Sequence, residues 1–298
     1  MPPNLASLLE SWELALRAER KAPMTIKSYL AGVNRYLHWC DTTGIPANLD
    51  RRNVARFVAG LLDGGAEPAT ARARQLALRR FAAWLVDEGE LPTDPLLGIR
   101  PPKLDTKIVE PLSTDELTRL IRVCQGRDFI DRRDEAIIRL MTETGCRAGE
   151  VVALGLADLD LPNGTATVRR GKEGGRGRSV PFGTQTTRSL DRYVRVRRSH
   201  RLAATSPLWL GDRGKTLGYD GLYSALSARA TAANIAGFHP HKLRHTAAHR
   251  WLAAGGSEGG LMAVAGWTRP DMLIRYTSAR ASDRAAAEAR MLDLGNVG

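Results

Sequence analysis

The fourteen residues Phe238–Trp251, FHPHKLRHTAAHRW, hold four of the chain's six histidines together with a lysine and two arginines. Three chemistries fit such a segment: a metal site, a solvated basic helix, or a clamp for phosphate. His241, His245 and His249 stand four apart, so a helix places them on one face. That spacing suits zinc. No His-Glu-x-x-His pattern accompanies them, so the carboxylate that serves such sites as general base is missing. His241 and Arg244 stand three apart and also share a face. There one side chain can handle a proton while the other grips an anion.

Three further residues could do chemistry. Arg147, in TGCRAGE, stands between Gly145 and Gly149 at the start of a predicted helix. Free backbone N–H groups and a bidentate guanidinium both suit phosphate there; the bland alternative is a surface charge. Lys172 lies in the glycine-rich stretch RRGKEGGRGR. A lysine on such a turn can swing into a groove and donate a proton, or it is one charge of a basic loop that touches phosphates loosely. Tyr276, in AGWTRPDMLIRYTS, carries a phenol of ordinary pKa ~10, which attacks only with help from a base or strong positive charge. A tyrosine near a chain end also serves as packing or surface.

Elements must bring these side chains together. TIKSYLAGVNRYLHW puts Ile26, Tyr29, Leu30, Val33, Tyr36 and Leu37 on one helical face. NVARFVAGLLDGG predicts a short helix ended by paired glycines. PATARARQLALRRFAAWLVDEG predicts a longer one, with Leu76, Leu78, Phe81, Leu85 and Val86 apolar. LPTDPLLGIRPPKLDTK holds four prolines, cannot continue a helix, and marks an interdomain boundary near Pro101–Thr106. The expected limits are a helical domain over 1–100, a linker over 101–107, and a second domain over 108–298.

Ser113 followed by Glu116 has capping-box spacing, so the second domain opens on a helix. RRDEAIIRLMTETG predicts another, and CRAGEVVAL turns into a third. In ADLDLPNGTATVRRGKEGGRGRSVPF the period changes to short alternating runs separated by Asn-Gly and by a glycine-rich turn. That pattern predicts a three-stranded antiparallel meander with Lys172 at its second turn. Everything after GTQTTRSL reads as helical. The tail SDRAAAEARMLDLGNVG ends the chain as a helix with an apolar edge at Ala285, Ala289, Leu292 and Met291. The fold class is mainly α with a small antiparallel β-sheet.

Composition bounds the function. The 298 residues are 43% hydrophobic and 6% aromatic, which suits a globular protein with a real core. No apolar run approaches the ~20 residues that cross a bilayer. The N-terminus lacks the basic-then-apolar order of a signal peptide. Cys40, Cys124 and Cys146 are scattered and odd in number, so they form neither a disulfide framework nor a zinc pair. These features predict a reduced, cytoplasmic protein with no membrane partner. Net charge is +12, and it is uneven: residues 1–100 hold 13 Lys and Arg against 11 Asp and Glu, and residues 101–298 hold 31 against 21. Such an excess points towards a polyanion. No Gly-x-x-x-x-Gly-Lys phosphate loop is present.

In order, TGCRAGE, GKEGG, HKLRH, AGW and a tyrosine nine residues after that tryptophan resemble the active-site motifs of the tyrosine recombinase (phage integrase) family. Those motifs are T-G-x-R-x-x-E, a β-hairpin lysine, H-x-L-R-H, a G-[HW] pair and the nucleophilic tyrosine. Each is loose alone, and five in order are specific. The resemblance covers most of the chain, because the N-terminal helices look like the family's core-binding domain, and it is to the short two-domain type similar to Xer recombinases. The family more often has His where Trp267 stands, and an indole N–H can still donate. HTAAHRW replaces a more apolar continuation and leaves His249 without an assigned role. The short N-terminus leaves no room for the arm-binding domain of larger phage integrases.

The resemblance implies a mechanism. Tyr276 attacks a DNA phosphodiester, leaving a 3′-phosphotyrosine and a 5′-hydroxyl. Arg147 and Arg244 hold the non-bridging oxygens, His241 assists deprotonation of Tyr276, and Lys172 protonates the leaving oxygen. Trp267 donates to the phosphate or packs beneath it. Glu150 orients Arg147 or His241, and His245 is a supporting residue. No metal or cofactor is expected. The implied partners are double-stranded DNA and further copies of the chain, as a tetramer on paired sites. An accessory directionality factor is a candidate partner. Two rivals stand beside this reading: a type IB topoisomerase that relaxes DNA, and a DNA-binding protein without catalysis such as a helix-turn-helix regulator.

Overall fold

The computed structural model describes residues 4–104, 110–169, 177–212, 214–269, 273 and 289–291. The chain divides into two compact units, Met1–Lys107 and Ile108–Gly298.

The first unit is built from α1 (Leu9–Ala18), α2 (Pro23–Thr43), α3 (Arg51–Asp63) and α4 (Pro68–Asp87). Proline at the first turn of α2 and α4 sets their starts, where a missing N–H is not needed. Asp50 caps α3, accepting from the backbone N–H of Arg52 and Asn53. Trp12, Tyr36, Phe57 and Phe81 fill the core between the helices. At the α2–α4 crossing, a Cβ on Gly32 would stand 2.5 Å from the Cβ of Ala77, so a bare backbone lets the two helices touch there. The apolar face expected for α4 is shifted: Leu76 is exposed, and the inward positions are Ala71, Ala77, Leu78, Phe81, Ala82 and Leu85. Small residues face in because α2 lies so close. From the proline-rich segment, Leu96 and Ile99 are buried in this core.

The second unit opens with α5 (Thr114–Arg122), whose capping box joins Ser113 and Glu116. The central helix α6 (Phe129–Thr144) is buried along most of its middle, from Arg133 to Thr142, and packs against α8 (Thr184–Arg197) and α10 (Pro240–Ala253). Its buried charges are paired: Asp134 with Arg133 and Arg229, and Glu135 with Arg139. The short α7 (Ala148–Val152) follows, then an antiparallel sheet in the order β1 (Leu159–Asp160), β2 (Thr165–Val168) and β3 (Arg178–Pro181). The register pairs Ala166 with Val180 and Val168 with Arg178, so these four side chains share the inner face. The helices α9 (Tyr219–Ala232) and α11 (Glu258–Ala265) complete the unit.

The region after α8 is not all helix. Arg197, 2% exposed, donates to the carbonyl oxygens of Leu208, Ala203, Thr205 and Pro207, and it shapes an irregular connection to α9. Isolated bridges join Gly155 to Pro207 and Leu210 to Thr216. All three cysteines are buried and free. No helix among the described residues is long and apolar enough to cross a membrane.

Candidate active site

The site begins at the α6–α7 corner. Gly145 ends α6 at φ +65, a left-handed turn that favours glycine. The Thr144 hydroxyl donates to the carbonyl of Leu140 and accepts from the N–H of Cys146 (3.3 Å). Arg147 then stands in extended backbone just ahead of α7. Glu150 reaches back to it: Oε2 accepts from the Arg147 backbone N–H (2.9 Å) and Oε1 from Arg147 Nη1 (3.0 Å). With only five residues, α7 carries little dipole, so the positive charge at this corner is that of the guanidinium rather than of a helix end. The Arg147 side chain is 44% exposed.

From the other side comes α10, started by Pro240. Arg244 is 1% exposed, and its Nη1 donates to the carbonyl of Gly145. Its guanidinium carbon lies 5.2 Å from the centroid of the Trp267 ring. A buried guanidinium is costly to desolvate unless it is bonded and faced by a partner of this kind. Trp267 follows Gly266, the left-handed cap of α11, and is 5% exposed in a small cluster with Ala248, Leu252, Leu261 and Ala265.

His241 lies one turn before Arg244 and is exposed at the cleft. Desolvation by the surrounding protein, then the charges of Arg244, His239 and Arg147, hold its pKa below the usual histidine value. The imidazole is therefore neutral, and basic, at neutral pH. The His245 ring meets it edge-on at 4.7 Å. Burial, with His241 as the next contributor, pushes His245 down to about 4. Among the described residues no group of three His, Cys, Asp or Glu side chains could hold a metal ion.

Arg147, Glu150, Arg169, His241 and Arg244 line one cleft of about 520 Å³. Residues about a hundred positions apart are thus brought together through the Gly145 corner. Trp267 stands behind Arg244 rather than on the cleft wall, and His245 backs His241. Lys172 and Tyr276 lie outside the described residues, as does most of the tail; of its apolar edge, Ala289 and Met291 are described, and both are exposed.

Two arginines at the site were missed by sequence reasoning: Arg169 on the cleft wall, and Arg178, which contacts Glu150. Arg178 donates from Nη1 to Glu150 Oε1 (3.1 Å) and from Nη2 to Oε2 (2.8 Å). Burial pushes the Glu150 carboxyl up. The bonds from Arg178 and from the Arg147 backbone, and both positive charges, outweigh this and hold it below the usual carboxylate range. The available signal was the alternation in Arg178-Ser-Val180, which places an arginine on the same face as a core valine.

The chain thus combines a helical unit with a helix-rich unit that carries a three-stranded sheet and a cleft lined by arginines and a histidine, whose charge suits an anion. Residues 110–283 match the phage integrase family, and residues 9–89 match the phage integrase N-terminal SAM-like domain. The chain belongs to the phage integrase family. It is 28% identical over 270 residues to tyrosine recombinase XerD of Bifidobacterium longum, covering 86% of this chain and 87% of that one. It is 30% identical over 244 residues to tyrosine recombinase XerC of Pseudomonas fluorescens, covering 80% and 79%. Its fold is similar to that of the Tn1549 transposon integrase (residues 82–397) in complex with transposon right end DNA, with a TM-score of 0.73, 16% identity and coverage of 97% and 99%. It is also similar to a lambda integrase dimer bound to a COC′ core site, with a TM-score of 0.71, 17% identity and coverage of 91% and 76%.

Proposed function

We propose that this protein is a site-specific tyrosine recombinase that breaks and rejoins double-stranded DNA through a 3′-phosphotyrosine. The observation that carries this is the convergence of Arg147, His241 and Arg244 on one cleft in a chain of the phage integrase family. Arg147 and Arg244 grip the two non-bridging oxygens and stabilise charge in the transition state. Arg244 is held in place by the Gly145 carbonyl and by the Trp267 ring. His241, neutral at pH 7, takes the proton of Tyr276 as its oxygen attacks phosphorus. The P–O5′ bond breaks, and Lys172 supplies the proton to the leaving oxygen. The phosphotyrosine conserves the energy of the diester, so a second 5′-hydroxyl reseals the strand. Glu150 orients Arg147, and His245 backs His241. The two units, helical over 1–100 and catalytic over 108–298, bind the duplex together, four copies assemble on paired sites, and the protein acts in the cytoplasm with an accessory directionality factor.

The test uses a duplex selected from random DNA by binding to the protein and nicked beside the cleavage point, so that the covalent product is trapped. Tyr276→Phe removes only the hydroxyl. DNA binding is expected to persist and the covalent adduct to vanish. An adduct that persists in this variant overturns Tyr276 as nucleophile. An unmutated chain that binds the duplex but never forms an adduct is a binder without catalysis, and one that relaxes supercoils without exchanging strands between sites is a topoisomerase.

A further inference from the structure

We infer that Arg178 is a positioning residue of this active site, neutralising Glu150 so that Arg147 keeps an uncancelled positive charge for the scissile phosphate. The inference rests on Arg147 being a phosphate ligand, as proposed above.

Arg178 opens β3, opposite Val168, with its side chain turned inward and 19% exposed. Its guanidinium holds both oxygens of Glu150, at 3.1 and 2.8 Å. Its Nε donates to the carbonyl of Val264 on α11 (2.8 Å). A Cβ on Gly266 would meet the guanidinium carbon at 2.7 Å, so this left-handed glycine leaves the space in which Arg178 lies. One side chain thus touches α7, α11 and the turn that presents Trp267.

The charges decide what this contact does. Glu150 is 19% exposed and is shared by two guanidiniums, those of Arg147 and Arg178. Two cations and one anion leave a net of one positive charge, and the more exposed cation, Arg147, faces the cleft. Without Arg178, Glu150 and Arg147 cancel. The carboxylate then sits in the phosphate site as a competitor for the same guanidinium and as a repulsive neighbour of the DNA. A two-armed pair is the strongest way to occupy a carboxylate. With Glu150 so occupied, Nη1 is the Arg147 guanidinium nitrogen that bonds it among the described residues.

A staple that merely joins β3 to α11 and a countercharge predict different things. Single-turnover cleavage of the nicked duplex is measured in the full chain for Arg178→Gln, Arg178→Lys, Glu150→Gln and the Arg178→Gln/Glu150→Gln double variant, alongside DNA affinity and melting. Arg178→Gln is expected to slow cleavage on the order of 100-fold, the loss typical of a displaced catalytic group, with affinity within about threefold. Adding Glu150→Gln removes the competing anion and is expected to recover at least about tenfold, a rescue that a simple staple does not give. Arg178→Lys keeps the charge and is expected to stay within about tenfold of the parent. Parental cleavage by Arg178→Gln, no rescue by Glu150→Gln, or equal losses for the Gln and Lys variants each overturn the inference. If Arg178→Gln does not fold, Arg178→Lys decides alone: retained cleavage supports the role, and a loss of about 100-fold overturns it. Arg147→Gln separates the two levels. If it cleaves like the parent, the phosphate reading of Arg147 fails. If it is inert while Arg178→Gln is active, only the countercharge fails.

Discussion

At the residue scale, the chemistry turns on where protons go. Lys172 is proposed as the donor to the leaving oxygen, and general acid help is typically worth ~100–10,000-fold in rate. Lys172→Ala should lose cleavage of ordinary DNA by that order. A 5′-bridging sulfur leaves as a thiolate and needs little protonation, so the variant should cleave sulfur-substituted DNA nearly as fast as the parent. Failure of sulfur to rescue it would make Lys172 a phosphate contact and turn attention to His241. The neighbouring His245 makes a different prediction, because it bears on folding. Its pKa falls from 6.5 to about 4 in the folded chain. The native state therefore binds fewer protons than the unfolded state between these values, and stability is lost as pH falls from about 6.5 towards about 4. The melting midpoint should decline across that window, and His245→Asn should flatten part of the decline. An unchanged slope in that variant would assign the pH dependence to other groups.

At the element scale, much was legible because helices announce themselves. The Ser113–Glu116 capping box, the apolar period of α2 and the glycine stop after α6 all formed as their local chemistry dictates. The meander was legible from its Asn-Gly turn. Arg178 was passed over, because it is one of several arginines in a glycine-rich stretch and its alternation with Val180 spans only three residues. Leu76 misled for a related reason. Its apolarity is local, while the inward face of α4 is chosen by the approach of α2. That approach invites a test. Alanine is a better helix former than glycine by ~1 kcal/mol, yet Gly32→Ala places a carbon 2.5 Å from the Ala77 Cβ. Overpacking of this kind costs ~1–3 kcal/mol and should win, lowering stability in a denaturant melt. A stabilised variant would mean that the α2–α4 seam has slack.

At the scale of the whole molecule, the cleft motifs were readable because each is short and holds its chemistry locally, while their meeting is a property of the fold. The hydrogen bond from Arg244 to Gly145, 99 positions away, has no local signature in either segment. Charge is global too. The excess over residues 101–298 should make DNA affinity steeply salt-dependent, because phosphate neutralisation releases counterions. With about six phosphate contacts, affinity should fall on the order of 1,000-fold between 50 and 200 mM salt, read as the slope of a gel-shift series. A flat series would place recognition in uncharged contacts.

The four carbonyl bonds of Arg197 have a consequence outside catalysis. The connection from α8 to α9 carries further arginines at 198 and 201, and by composition it is a place where a digestive protease would enter. Entry requires several residues to peel away and lie extended in the protease's own groove. Here the chain is crossed by its own guanidinium, and peeling would strip that buried cation of all four acceptors at once. The segment is irregular in outline, and trypsin is still expected to spare Arg198 and Arg201 in the folded chain, which the fragment masses of a limited digest would check.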